Sequence, residues 1–235
     1  MAEEIEWWEF DNAEEMIDQV AGDIAFIIES ALDSRGQALV AFPGGTTPKP
    51  IFDKLLQSNI KWKNVTIIPT DDRLVAVNSE MSNVADIARA FLPKGARVLP
   101  LTSEAADHKL AGSAANARLA DLHWPPDLVW LGMGEDGHTA SIFPGPDLGD
   151  ALTPEKGVRA VGVQPDPLPE NAPVNRVTLT APAIAQARTI MIVIAGAKKR
   201  SVLEEAIEQG KKSTSPIGQV LEQVDVPVDI FWLDG

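Results

Sequence analysis

A histidine two residues after an aspartate, within a glycine-rich turn, is the strongest chemical signal in this chain. The turn reads Gly132-Met133-Gly134-Glu135-Asp136-Gly137-His138 and continues Thr139-Ala140-Ser141-Ile142-Phe143-Pro144-Gly145. Imidazole titrates near neutrality, so His138 can take a proton from water or return one to a leaving group. Asp136 is close enough in sequence to fix the tautomer of the ring. We read His138 as catalytic. His108 and His123 stand in or beside a polar helical pattern, where a bland role is the simpler reading.

Two further segments carry chemistry. Thr70-Asp71-Asp72-Arg73 follows an apolar run, and Ser82-Asn83 opens a helical pattern ten residues later. Adjacent carboxylates with an arginine can orient water, shuttle a proton and hold a developing negative charge. Taken alone, such a charge run is more often a solvated turn. Pro43-Gly44-Gly45-Thr46-Thr47-Pro48 also follows an apolar run. Its glycines let the backbone turn sharply and approach a ligand, Thr47 can cap the next helix, and Pro48 suits the first helical position. Free amides and two hydroxyls at a helix start would cradle a phosphate. An ordinary strand–helix turn fits the same residues equally well. The segment lacks the Lys-Ser/Thr ending of a nucleotide-binding P-loop.

These segments need a scaffold, and the chain alternates helical and strand signals throughout. Asp11 with Glu14 resembles an N-terminal cap; Ile17, Val20, Ala21, Ile24, Ile27, Ile28 and Ala31 repeat at helical spacing; Gly36 is a stop signal. Short continuous apolar runs at 38–42, 65–68, 128–131, 190–194 and 228–232 predict strands covered on both faces. Helical patterns separate them at 83–92, 104–120 and 197–209. This rhythm predicts an α/β fold with a mainly parallel sheet, as one domain over residues 1–235. In such folds ligands bind beyond the carboxyl ends of the strands, where all three loaded segments fall. Residues 144–175, rich in Pro, Gly and Asp, predict a long excursion over one face.

Composition narrows the class. The 235 residues are 45% hydrophobic and 23% charged, which suits a globular core. Cysteine is absent, which excludes disulfides, thiolate zinc sites and a thiol nucleophile. The acidic start Met1-Ala2-Glu3-Glu4 is unlike a secretory signal, and no apolar run approaches the ~20 residues of a membrane span. A soluble cytoplasmic protein is expected. The net charge of −14 repels nucleic acid and anionic membranes, so any anion site must be built locally. No metal-ligating cluster is visible, and no cofactor is expected.

Together the segments resemble the 6-phosphogluconolactonase family, related to glucosamine-6-phosphate deaminases and ribose-5-phosphate isomerases. The resemblance rests on Phe42 to Pro48, Asp71-Asp72-Arg73 with Ser82-Asn83, and Gly132 to Gly145. Asn175-Arg176-Val177-Thr178-Leu179-Thr180 and Gly196-Ala197-Lys198-Lys199 extend it over nearly the whole chain. It implies a Rossmann-like sheet and hydrolysis of a phosphosugar lactone, 6-phosphoglucono-δ-lactone, in the oxidative pentose phosphate pathway. It further implies that His138 activates water, Asp71 shares the proton handling and Arg73 stabilises negative charge. Gly44, Gly45, Thr46 and Thr47 would cradle the phosphate, helped by Lys198 and Arg176, with Asn83 and Asp136 completing the substrate site. The chain departs from the family pattern at Asp72, where Glu is commoner, at Ala76, where Pro is common, and at Thr46, where Ser is frequent.

Two other functions fit the sequence less well. Deaminases resembling this chain usually have Asn-Gly-His and a glutamate shortly after the histidine, where this chain has Asp136-Gly137-His138 and then Ala140-Ser141-Ile142-Phe143. A non-catalytic sugar-phosphate sensor would carry a DNA-binding domain. The first strand pattern near residue 38 leaves no room for one. The sequence leaves a monomer or a weak homodimer open.

Overall fold

The structure is a computed structural model and describes residues 5–102 and 107–235. Strand β1 (Ile5–Phe10) leads into helix α1 (Ala13–Arg35), β2 (Ala38–Phe42), α2 (Pro48–Leu55), β3 (Val65–Pro69) and the short β4 (Asp71–Arg73). Then come α3 (Asn83–Phe91), β5 (Arg97–Val98), α4 (His108–Ala120), β6 (Leu128–Leu131), α5 (Leu148–Leu152) and β7 (Ala160–Val163). The chain ends with β8 (Arg176–Leu179), α6 (Ala181–Ala185), β9 (Ile190–Ala195), α7 (Ala197–Gln209), α8 (Pro216–Leu221) and β10 (Val228–Leu233).

Seven strands form one sheet in the order β1-β10-β9-β6-β2-β3-β5, and every neighbouring pair is parallel. The five expected strands are all in it. Their continuous apolar character has a direct cause: alternate residues enter opposite cores. Leu39 and Ala41 of β2, Val129 and Leu131 of β6, and Ile190, Ile192 and Ile194 of β9 face one core with α4, α7 and α8. Val40 and Phe42, Leu128 and Trp130, and Met191 and Val193 face the other, against α1, α2 and α3. There Phe42, Phe52, Phe91 and Trp130 pack edge-on or tilted, with ring centroids 5.1–5.8 Å apart. Helix α1 contributes Met16, Val20, Ala21, Ile24, Ile28 and Ala31; of the predicted stripe Ile17 and Ile27 are only partly buried, and Met16 takes a core place the spacing did not include. Burying each large side chain of that set stabilises the fold by roughly 1.5–3 kcal/mol.

A second sheet, β4-β8-β7, is antiparallel and sits beside the carboxyl ends of the large one. It was not expected from the sequence. β4 is three residues long and charged, and β7 lies inside the 144–175 excursion, which also holds α5.

Three local expectations are corrected. The chain's first strand is β1, not the run at 38; as an edge strand its residues are partly exposed, so it shows no continuous apolar run. Helix α1 is capped by Asn12, whose side chain accepts from Glu14 N at 2.8 Å, and not by Asp11. Thr47 stands at the start of α2 without a side-chain capping bond, so its hydroxyl stays free. The predicted helix 104–120 begins partly outside the described residues; within them Asp107 caps it by accepting from Leu110 N at 2.9 Å.

Candidate active site

The sheet grows in two directions from its centre. β3 and β5 add beyond β2, while β9, β10 and β1 add beyond β6. Loops leaving β2 and β6 therefore diverge, and the crevice between them is where such sheets take ligands. A cleft of about 300 Å³ lies there. The loop after β2 supplies one wall with Gly44, Gly45, Thr46 and Thr47, and the loop after β6 supplies another with Gly134 and His138. Asp71, Arg73, Asn83 and Arg176 close the third side from β4, α3 and β8. A roomier hollow of about 480 Å³ at the amino ends of the strands is structural: there buried Asp127 accepts from Leu39 N at 2.9 Å and pairs with Arg35 and Arg188.

The His138 turn is closed by backbone bonds from Gly134 N to His138 O (2.9 Å) and from Gly137 N to Gly134 O (3.0 Å). The imidazole folds back over Gly134, where a Cβ would lie 2.2 Å from His138 Cε1, so only glycine fits. His138 Nδ1 meets Asp136 Oδ1 at 2.5 Å. That contact, before any other cause, holds the Asp136 carboxyl below the usual range and keeps it ionised. An ionised partner requires a proton on Nδ1, and in the neutral ring that leaves Nε2 with a lone pair able to accept one. Phe143 stacks on the imidazole, with centroids 4.0 Å apart at 23°.

The opposite wall is a network of buried charge. Asp71 Oδ2 accepts from Ser141 Oγ at 2.5 Å, while its Oδ1 accepts from Thr70 Oγ1 at 3.3 Å and Asn83 Nδ2 at 3.4 Å. Arg73 Nη1 donates to Asn83 Oδ1 at 2.7 Å and to Met81 O at 3.0 Å. In the antiparallel ladder Arg73 pairs directly with Arg176, and Asp71 with Thr178. Arg176 donates to Ala172 O at 3.2 Å, and its guanidinium lies 5.0 Å from the Phe143 ring centre. Burial pulls its pKa down, Asp71 opposes this, and Arg73 adds to it. Nε of both arginines is buried without a hydrogen-bond partner. Two arginines opposed in one ladder, each with a buried donor unsatisfied, concentrate positive charge beside the cleft.

Gly44 and Gly45 bend the β2 loop so that exposed Thr46 and Thr47 precede α2; the first turn of α2 is Pro48-Lys49-Pro50, whose single N–H, on Lys49, donates to Thr46 O at 3.3 Å, so the amides left for an anion are those of the loop itself. The third cation of the cleft differs from the expected one. Lys198 turns away to Glu135 at 2.5 Å, and the cleft is lined by Lys199. Successive residues at a helix start point about 100° apart, so sequence alone does not choose between them. Of the other expected residues, Asp136 acts on His138 from behind the ring. Asn83 is 3% exposed, and its amide is spent on Arg73 and Asp71. Sequence reasoning missed Ser141 and Phe143, which lie inside the quoted motif, and Asn171, which reaches the cleft from the excursion.

Fold and cleft together define a Rossmann-like α/β protein with a histidine–aspartate pair beside an arginine-lined cleft at the switch point of its sheet. Residues 11–232 match the family model described as glucosamine-6-phosphate isomerases/6-phosphogluconolactonase, and the chain belongs to this family. It is 36% identical to a 6-phosphogluconolactonase of Mesorhizobium japonicum, over 96% of this chain and 94% of that one. It is 34% identical to a 6-phosphogluconolactonase of Rhizobium meliloti, over 95% of this chain and 96% of that one. The crystal structure of a 6-phosphogluconolactonase from Shewanella baltica superposes over the full length of both chains with a TM-score of 0.90 at 33% identity.

Proposed function

We propose that this chain hydrolyses 6-phosphoglucono-δ-lactone to 6-phosphogluconate, the lactonase step of the oxidative pentose phosphate pathway. The observation that carries the reading is the His138–Asp136 pair, 2.5 Å apart, on the wall of a cleft whose far side holds Arg73 and Arg176. Full-length similarity to several proteins named 6-phosphogluconolactonase supports the same substrate.

The chemistry follows from the groups present. Loop amides 44–47, with Lys199 and Arg176, hold the phosphate, and that remote binding energy orients the ring carbonyl. His138 Nε2 takes a proton from water as the water oxygen bonds to the lactone carbonyl carbon. Negative charge collects on the carbonyl oxygen, where the Arg73 guanidinium stabilises it. Collapse of this adduct breaks the bond to the ring oxygen, which receives the proton back from His138. The products are a carboxylic acid, which ionises, and a free hydroxyl. Asp71, fixed by Ser141 and Asn83, balances the two arginines and orients the water. The reading carries a cytoplasmic setting, and among the described residues no helix is long and apolar enough to cross a membrane.

The test compares hydrolysis of freshly made lactone with the spontaneous rate, for the parent protein and His138→Ala. A large acceleration that collapses in the variant and is indifferent to chelator is the expected result. A folded parent protein that gives no acceleration overturns the reading; one that releases ammonia from glucosamine 6-phosphate assigns it to the deaminases instead.

A further inference from the structure

Asp72 is the one carboxylate of the β4 segment for which the mechanism above has no use, and it is wholly buried. Its Oδ1 accepts from Asn83 N at 2.7 Å and Arg73 N at 2.9 Å, and its Oδ2 accepts from Val84 N at 3.2 Å. Ser82 Oγ and Thr102 Oγ1 approach Oδ2 at 3.4 Å. The carboxylate thus takes the first two free amides of α3 and ties that helix start to β4, which satisfies donors the helix cannot satisfy itself.

The residue so anchored is Asn83, and its side chain reaches three parts of the cleft. Its Oδ1 accepts from Arg73 Nη1 at 2.7 Å, and its Nδ2 donates to Asp71 O at 2.9 Å and to Asp71 Oδ1 at 3.4 Å. On its remaining side it presses on the anion loop: a Cβ on Gly44 would fall 1.9 Å from Asn83 Oδ1. A shift of the α3 start would therefore move the Arg73 guanidinium, the Asp71 carboxylate and the Gly44 backbone together.

We propose that Asp72 is a positioning residue for the lactonase reaction, acting through Asn83 to set Arg73 and Asp71 against the reacting centre. This rests on the lactonase reading of the cleft. A simple burial role would be served by any side chain of similar size. A positioning role requires two acceptor oxygens aimed at the amides of residues 83 and 84, which an amide cannot supply because its nitrogen is a donor.

The experiment measures kcat and KM for lactone hydrolysis by the parent, Asp72→Asn, Asp72→Glu, Asn83→Ala and the Asp72→Asn/Asn83→Ala double variant, each checked for folding by thermal melting. Asp72→Asn is expected to lower kcat on the order of 10- to 100-fold, the scale of a misplaced catalytic group, with KM changed by less. Asp72→Glu recovers most of the loss. Asn83→Ala loses a similar factor, and the double variant is no worse than the worse single, since both act along one route. Parental kcat in folded Asp72→Asn, or losses that multiply in the double variant, overturns the proposal. If Asp72→Asn does not fold, parental kcat in Asn83→Ala overturns it alone. An inactive parent protein is a different result, and removes the lactonase reading itself.

Discussion

Arg73 and Arg176 stand directly opposite each other in the β4–β8 ladder, so both side chains leave the same face of a small sheet. Like charges in this register repel, and burial of Arg176 sharpens the cost. Asp71 sets a single negative charge against the two. An anion in the cleft would relieve the rest, so 6-phosphogluconate is expected to raise the melting temperature. The rise should be about 5–10 °C at a hundredfold excess over Kd, and Arg176→Met should lose most of it while raising KM. An unchanged melting curve in the presence of 6-phosphogluconate would count against an anion pocket here.

The contact between Asp136 and His138 makes a second prediction. Asparagine at 136 keeps the shape but offers the ring a choice of donor or acceptor, so the lone pair is no longer held on Nε2. Asp136→Asn should lower kcat by about 10²- to 10⁴-fold with little change in KM, the behaviour of a histidine freed into the wrong tautomer. The melting temperature should hardly move, because Asp136 is largely exposed. A loss confined to KM would mean that the residue binds substrate and does not orient the base.

Asp72 gives the fold a pH dependence of unusual sign for a carboxylate. Burial outweighs the bonds from Asn83, Arg73 and Val84 and pushes its pKa up to about 6 from 3.8. Between those values the unfolded chain has released the proton while the native protein retains it. Stability from this group therefore falls as pH rises from about 4 to 6, by roughly 3 kcal/mol once both states are ionised. Melting Asp72→Asn beside the parent between pH 4 and 8 isolates the effect. The parent's melting temperature should decline relative to the variant as pH rises through this window. A relative increase would show that the carboxylate is stabilised as an anion.

Those residues also mark where the sequence was legible. Five of the seven strands of the large sheet could be read because strands buried on both faces must be apolar throughout, as β2, β6 and β9 are. The turn holding Asp136 and His138 could be read because local spacing alone brings them together. β1 was invisible because an edge strand half in solvent needs no apolar run, and β4 because three charged residues look like a turn. Ser141 lies 70 residues from Asp71, and Asn83 reaches Arg73 from a different element. Contacts of that kind depend on the path of the chain in space, and residue type gives no sign of them.

The lysines at the start of α7 are the sharpest case, since two neighbours of identical chemistry have opposite fates. Lys198 is paired with Glu135 at the surface, both side chains more than half exposed. Exposed pairs of this kind contribute little to stability because solvent and salt screen them. Lys199 lines the cleft. Lys199→Ala should raise KM for the lactone several-fold and weaken the stabilisation by 6-phosphogluconate, with the effect shrinking as ionic strength rises. Lys198→Ala should leave KM within about twofold of the parent, because it removes only the solvated pair. The reverse pattern in side-by-side kinetics would mean that Lys198 abandons Glu135 for the phosphate when substrate binds, making that exposed salt bridge the resting state of a binding residue.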